Sequence, residues 1–169
     1  KHPNHAKIAR GICDFVLREM TAPQGAFYTA FDAEVDAQEG LTYLWTAGEV
    51  REVLEGKAEQ ATPNQFTSEE IELFMKVYGL AAGPNFADPH HGNGVPDKGI
   101  LFVPTPLANV ARTKEMGEEA LDERLAPMRE ALYVARRKRK QPLLDTKILT
   151  SWNALMIRGT HYGLVFVAR

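Results

Sequence analysis

The spacing of apolar residues constrains this 169-residue chain more than any other feature, because they recur every three or four positions. That period is typical of amphipathic helices with one stripe facing a core. The first such stretch runs from about Asn4, an expected N-cap, to Glu19. Its stripe consists of Ile8, Ile12, Phe15, Val16 and Met20. The pattern predicts an amphipathic helix at this end of the chain.

Two further helix starts carry a capping box, in which a hydroxyl side chain and a glutamate three residues later bond each other's backbone. Thr46 with Glu49 forms the first box, and Thr67 with Glu70 forms the second. Apolar residues follow both boxes at helical spacing, and the second helix is expected to run to Gly79.

Prolines mark the predicted helices in the second half of the chain. Thr105 followed by Pro106 indicates an N-cap and a proline at the first helical position. A helix from Glu118 is expected to break or kink just before Pro127, and a longer helix then runs to about Lys140. With about six helices, the chain is predicted to be mainly α.

Residues 26–31 and 41–45 are short aromatic runs of β-prone residues, and their spacing favours a small β-hairpin. Their connection is acidic and carries Asp32, Glu34, Asp36 and Glu39. Clustered carboxylates can act as an acid/base pair or bind a metal, but the same charges can also keep a loop solvated. The aromatic rings are suited either to cross-strand packing or to stacking on a sugar ring. Residues 100–103 are a candidate short strand.

Charge and composition exclude several classes of function. The net charge is −2 with the histidines counted as neutral, so no global field attracts nucleic acid or an acidic membrane. The one cysteine, Cys13, excludes an internal disulfide and is expected to be a buried thiol. No apolar run reaches the roughly 18 residues of a membrane span, and no signal peptide is recognised. A cytoplasmic setting without a cofactor is therefore expected.

Two local clusters of polar residues are not expected to form a metal site or a nucleic-acid site. His90 and His91, with Asp88 and Asp97 nearby, lack the spacing of a metal site and are expected to form a polar loop. The basic block at residues 136–140 is typical of nucleic-acid contact or of the last turn of a helix, where cations complement the dipole. Because the rest of the chain is not basic, the helix terminus or a contact with a carboxylate or phosphate is favoured.

The segment from Asp145 to Asn153 is dense in polar side chains and precedes an apolar helix that Ser151 is expected to cap. Backbone N–H groups at such a terminus favour an anionic or oxygen-rich ligand. Alternatively, Asp145 pairs with Lys147 while Trp152 packs inward, and the segment is structural.

Several segments carry a family resemblance. Residues 145–157 read DTKILTSWNALMI and resemble the signature DDK-hydrophobic-LTSWN-G-LMI, and residues 136–142 resemble the R-x-K-R-x-x-P run before it. Residues 25–34 and 39–46 read GAFYTAFDAE and EGLTYLWT and resemble the segments GGFYSAxDAD and EGxFYVWT. These motifs, in the order in which they occur along the chain, resemble those of the thioredoxin-domain-containing proteins related to spermatogenesis-associated protein 20.

The resemblance implies an architecture. The resemblance implies that full-length members have a thioredoxin-like domain followed by an (α/α)6 toroid. That toroid is similar to those of six-hairpin glycosidases and sugar epimerases. Residues 1–169 are then expected to form a single, partial α/α-toroid domain from the middle of that toroid, with no thioredoxin-like domain in this chain. An incomplete toroid leaves apolar helix faces uncovered, so self-association is expected.

A toroid of this kind binds ligands in a bowl of loops, which leads to two functional hypotheses. In the first, the domain binds or transforms a carbohydrate-like small molecule, with catalytic Asp32, Glu34 and Asp145. The ligand-binding residues would be Tyr43, Trp45, Lys147, Ser151, Trp152 and Asn153. In the second, the domain is a non-catalytic scaffold that supports a thioredoxin-like domain and recruits partners. Neither hypothesis involves a metal, nucleic acid or a membrane.

Overall fold

A computed structural model of the chain describes residues 3–57, 66–87 and 97–167, with the side chains of residues 3–4 and 164–167 left undescribed. Its helices and strands, in chain order, are α1 (Pro3–Glu19), β1 (Ala30–Phe31), β2 (Glu34–Val35), β3 (Gln38–Glu39), α2 (Ala47–Leu54), α3 (Ser68–Val77), α4 (Leu107–Thr113), α5 (Glu118–Arg137), β4 (Leu144–Asp145) and α6 (Thr150–Val167). Short 3₁₀ helices cover Leu41–Tyr43 and Leu80–Ala82. The prediction of a mainly α chain with a small hairpin is confirmed.

The chain divides into two compact units. The first unit consists of Lys1–Ala33 together with Pro142–Arg169, and the second unit consists of Glu34–Gln141. None of the helices in the described ranges is both long and apolar enough to cross a membrane.

In the first unit, α1 packs against α6, and β1 pairs antiparallel with β4. Ala30 lies opposite Asp145 and Phe31 opposite Leu144, while the rings of Phe31 and Phe15 lie 6.2 Å apart between centroids. The predicted hairpin between residues 26–31 and 41–45 is therefore wrong in its pairing. The first aromatic run takes its strand partner from near the other end of the chain.

A hairpin does form, within the acidic connection of the second unit. Strands β2 and β3 pair antiparallel, with Glu34 opposite Glu39. The turn residues Asp36 and Ala37 have φ values of 53° and 56°. Two consecutive residues with positive φ match the type I′ turn, whose twist suits a two-residue hairpin loop. Beyond β3 the chain enters a 3₁₀ helix, so the second aromatic run does not form the expected strand.

The core of the second unit lies among α2, α3, α4 and α5, and α5 packs against both α2 and α4. Apolar residues at helical spacing point inward from each helix. The fully buried side chains include Val50, Leu54, Phe74, Leu121, Leu125 and Met128. Both predicted capping boxes are present, at Thr46 with Glu49 and at Thr67 with Glu70.

Helix α5 is continuous through Pro127, so the predicted break does not occur, while the alternative of a kink stays a prediction. Proline has a helix-compatible φ and costs the helix one hydrogen bond and some steric strain. The side chains of Leu125 and Met128, on either side of it, are fully buried. Each contributes about 2 kcal/mol on burial, which offsets the local cost and holds the helix together.

Two predicted helix starts are shifted, and one predicted strand does not form. Helix α4 begins after Pro106, so Thr105 is not its N-cap. Helix α6 begins at Thr150, which places Ser151 inside the first turn and not at the cap. Residues 100–103 form no strand; the preceding Gly99 instead makes an isolated bridge with Trp45, with both N–H···O distances at 2.8 Å.

Candidate functional site

The three predicted catalytic carboxylates fall in different units. Asp32 and Asp145 belong to the first unit, where Asp32 directly follows β1 and Asp145 ends β4. The backbone N–H of Asp32 donates to Leu143 O at 2.8 Å, so Asp32 continues the strand pair. Glu34 belongs to the second unit and opens its hairpin. Their acid/base role stays a prediction.

Asp145 forms a local ion pair with Lys147. Its Oδ1 accepts from the Lys147 backbone N–H at 3.1 Å, and its Oδ2 lies 3.1 Å from Lys147 Nζ. The backbone hydrogen bond, followed by the side-chain hydrogen bond and charge of Lys147, lowers the pKa of Asp145 below its ordinary 3.8. The carboxylate is ionised at neutral pH, which suits a base or an ion pair better than a proton donor. The pairing predicted as the structural alternative is confirmed.

Asn153 bonds both backbone polar groups of one distant residue, Phe27. Its Oδ1 accepts from the Phe27 N–H at 2.7 Å, and its Nδ2 donates to the Phe27 carbonyl at 2.9 Å. A further bond from Nδ2 to Leu149 O, at 3.1 Å, uses the second amide hydrogen. Both amide donors and the carbonyl oxygen therefore have a partner within the first unit.

The neighbouring signature side chains are exposed. Trp152 exposes 52% of its surface, which makes the prediction that it packs inward wrong. Ser151 and Lys147 are exposed as well. These three residues are accessible to a ligand, and their predicted binding role stays a prediction.

Arg139, from the basic block, supports the second aromatic segment. Its guanidinium lies 3.7 Å from the Trp45 ring centroid and donates to the carbonyls of Leu44 at 2.6 Å and Thr42 at 3.3 Å. It also lies 3.6 Å from a carboxylate oxygen of Glu49, the capping-box residue of α2. The expected contact between the basic block and a carboxylate is confirmed.

Burial has the largest influence on the Arg139 guanidinium and lowers its pKa; nearby Arg136 lowers it further, while Glu49 acts in the opposite direction. Thr42 completes the arrangement, because its buried hydroxyl donates to Lys140 O at 2.7 Å. Residues 139–140 and residues 42–44, far apart in sequence, are thus joined by hydrogen bonds that each segment donates to the other.

The second unit also contains a cavity of about 290 Å³, here called the aromatic cavity. It is lined by Tyr43, Trp45, Phe74, Tyr78, Ile100, Leu101, Arg129, Leu132, Tyr133 and Arg136. Two predicted ligand-binding residues, Tyr43 and Trp45, therefore line one cavity. The other lining residues were missed, although the spacing of Arg129, Tyr133 and Arg136 on one helical stripe was a usable signal.

Within residues 3–57, 66–87 and 97–167, His, Cys, Asp and Glu side chains form no group of three that could hold a metal ion. His90, His91 and Asp88 lie outside the described residues. Cys13 is a free, partly buried thiol.

Comparison with known proteins places these segments in a family. Spermatogenesis-associated protein 20 of Mus musculus is 33% identical over 166 residues, which cover 92% of this chain. The chain is part of the spermatogenesis-associated protein 20 family. The Homo sapiens protein of that name is also 33% identical over 92% of the chain, and the Rattus norvegicus protein is 34% identical over 90%. The chain spans 20% of the length of each of these relatives. No protein-family model matches it.

We expect Arg139→Lys to destabilise the second unit by about 1–3 kcal/mol, since lysine keeps the charge but loses the planar fork and its stacking on Trp45. Urea unfolding followed by tryptophan fluorescence measures the change. Arg137→Lys, at an exposed position two residues earlier, is the control. Equal stabilities of the two variants would show that the Arg139 contacts contribute little.

The ion pair of Asp145 predicts a pH-dependent contribution to stability. Because the native pKa of Asp145 is lowered, wild type is expected to be more stable than Asp145→Asn, and the difference is fully present above the ordinary pKa of 3.8. That advantage declines as the pH falls through the native pKa. Chemical unfolding of both proteins across acidic and neutral pH checks this, with Asp14→Asn on α1 as the control. A difference independent of pH would contradict the pairing.

Proposed function

We propose that this region of the spermatogenesis-associated protein 20 family is a non-catalytic scaffold. The observation that carries the proposal is the amide of Asn153, whose donors and acceptor are all bonded to backbone groups of Phe27 and Leu149. An amide held in this way stabilises the fold and has no donor left for a ligand. The signature segment therefore acts first as a tie between distant parts of the first unit.

The second unit supports the same interpretation. Arg139 connects the segment just after α5 to residues 42–45. Its guanidinium donates to the carbonyls of Thr42 and Leu44 and lies over the ring of Trp45. Ion pairing of Lys140 with Asp36 adds a contact to the hairpin turn. Polar residues of the resembling segments thus bond the chain to itself in each unit.

In the longer relatives, such a scaffold would support a thioredoxin-like domain. Packed helix pairs, such as α1 with α6, are consistent with the α/α toroid that the family resemblance implies. A carbohydrate-directed acid/base role for Asp32, Glu34 and Asp145 is the rival hypothesis, and the lowered pKa of Asp145 argues against its use as a proton donor.

Asn153→Ala tests the scaffold proposal. Losing the bonds to Phe27 leaves a partly buried N–H and carbonyl without their partner, at a cost of about 1–3 kcal/mol. We expect a lower thermal midpoint, measured by circular dichroism. The exposed neighbour Ser151→Ala is the control and should unfold like wild type.

The rival hypothesis makes the opposite prediction. If wild type hydrolyses aryl glycosides, and Asp145→Asn abolishes that activity at an unchanged thermal midpoint, the region is catalytic and the scaffold proposal is wrong. A lower thermal midpoint of Asp145→Asn, together with no glycosidase activity in wild type, supports the scaffold proposal.

Self-association is a further part of this proposal. Helices α1 and α6 expose large apolar side chains, namely Ile8, Ile12, Leu17, Leu155 and Ile157. We expect light scattering to show a species larger than the monomer, and the double change Ile8→Glu with Ile12→Glu to shift it toward the monomer. Leu143→Glu, exposed but outside both helices, is the control. A strictly monomeric wild type would contradict self-association.

A further inference from the structure

One wall of the aromatic cavity is a single stripe of α5. Arg129, Tyr133 and Arg136 are spaced four and then three residues apart, so their side chains leave the helix on the same face. Tyr43 and Trp45 approach from the segment after the hairpin, and Tyr78 from the end of α3. The cavity therefore combines two guanidinium groups with several aromatic rings.

The two arginines of this wall are in different states. Arg129 Nη1 lies 2.9 Å from Asp122 Oδ1 and 3.1 Å from the Tyr78 hydroxyl oxygen, so its charge is compensated locally. The Arg136 guanidinium instead lies over the rings of Tyr43, at 4.8 Å, and Tyr133, at 5.4 Å. In the described part of the chain, no carboxylate forms a salt bridge with Arg136.

Stacking occupies the faces of a guanidinium but leaves its N–H donors free in the plane of the group. Arg136 is half-buried at the cavity wall, where a charge interacts more strongly with a counter-ion than in bulk water. It therefore offers an oriented, uncompensated cation next to flat apolar surfaces. An anion attached to a ring would satisfy both parts of this surface at once.

We propose that the aromatic cavity binds a small ring-bearing anion, with its carboxylate or phosphate on Arg136 and its ring against the tyrosines. The volume of about 290 Å³ lies just below the roughly 300–1,000 Å³ usual for ligand pockets, which fits a ligand of one ring. This binding function goes beyond the scaffold role, and the residue proposed to hold the anion, Arg136, is not one of those that carry the scaffold proposal.

Calorimetric titration of the full chain with benzoate, phenyl phosphate and neutral benzamide tests the proposal. We expect at least one of the two anions to bind, and benzamide to bind about tenfold more weakly or not at all. Added salt should weaken the binding of the anion. The tighter of the two anions identifies the preferred head group.

Arg136→Gln should lower the affinity for the anion about tenfold or more. Arg136→Lys should recover part of that affinity, because lysine restores the charge but not the planar guanidinium donors. Arg112→Gln, exposed on α4 and outside the cavity, is the matched control and should bind like wild type. Thermal unfolding of each variant separates lost binding from lost folding. Equal binding of benzamide, unchanged binding by Arg136→Gln, or no binding of either anion to wild type would overturn the proposal.

Discussion

The second unit depends on the guanidinium of Arg139. It stacks on Trp45, and Trp45 in turn is buried in the same core as α2, α3 and α5. Its hydrogen bonds fix the carbonyls of residues 42 and 44, and its contact with Glu49 reaches the first turn of α2. One side chain just beyond the end of α5 thereby positions the segment that leads from the hairpin into the core. The same segment carries Tyr43 to the wall of the aromatic cavity.

The first unit uses a different device for the same purpose. Asn153 there forms hydrogen bonds with both the backbone N–H and the carbonyl of Phe27, across a separation of 126 residues. A neighbouring bond from the Thr29 hydroxyl to Lys147 O, at 2.6 Å, spans 118 residues. Buried or half-buried polar groups of this type contribute specificity as well as stability, since a shifted register would leave them without partners. Segments that resemble the family motifs are therefore those that join distant parts of the chain.

Local signals in the sequence predicted local structure well. The boxes at Thr46 and Thr67 and the apolar stripes of the helices depend on residues a few positions apart, which a sequence displays directly. The strand partner of Ala30–Phe31 could not be found in this way, because β-propensity indicates a strand but not its mate. Pro127 was misjudged because local propensity takes no account of the tertiary burial of its neighbours. For the same reason the aromatic cavity escaped prediction, since its walls come from four separate segments.

The pairing of β1 with β4 has a consequence for the order of folding. Each strand of the pair comes from a different end of the described chain, while the core of the second unit is built from the residues between them. During synthesis, the residues of α2 to α5 emerge before β4 and α6 exist, and can bury their core first. The first unit must wait for its last helix, and the entropy of closing so long a loop makes its strand pairing a late event. Between the emergence of β1 and that of β4, a ribosome-bound chain is therefore expected to carry α1 and β1 without their partners.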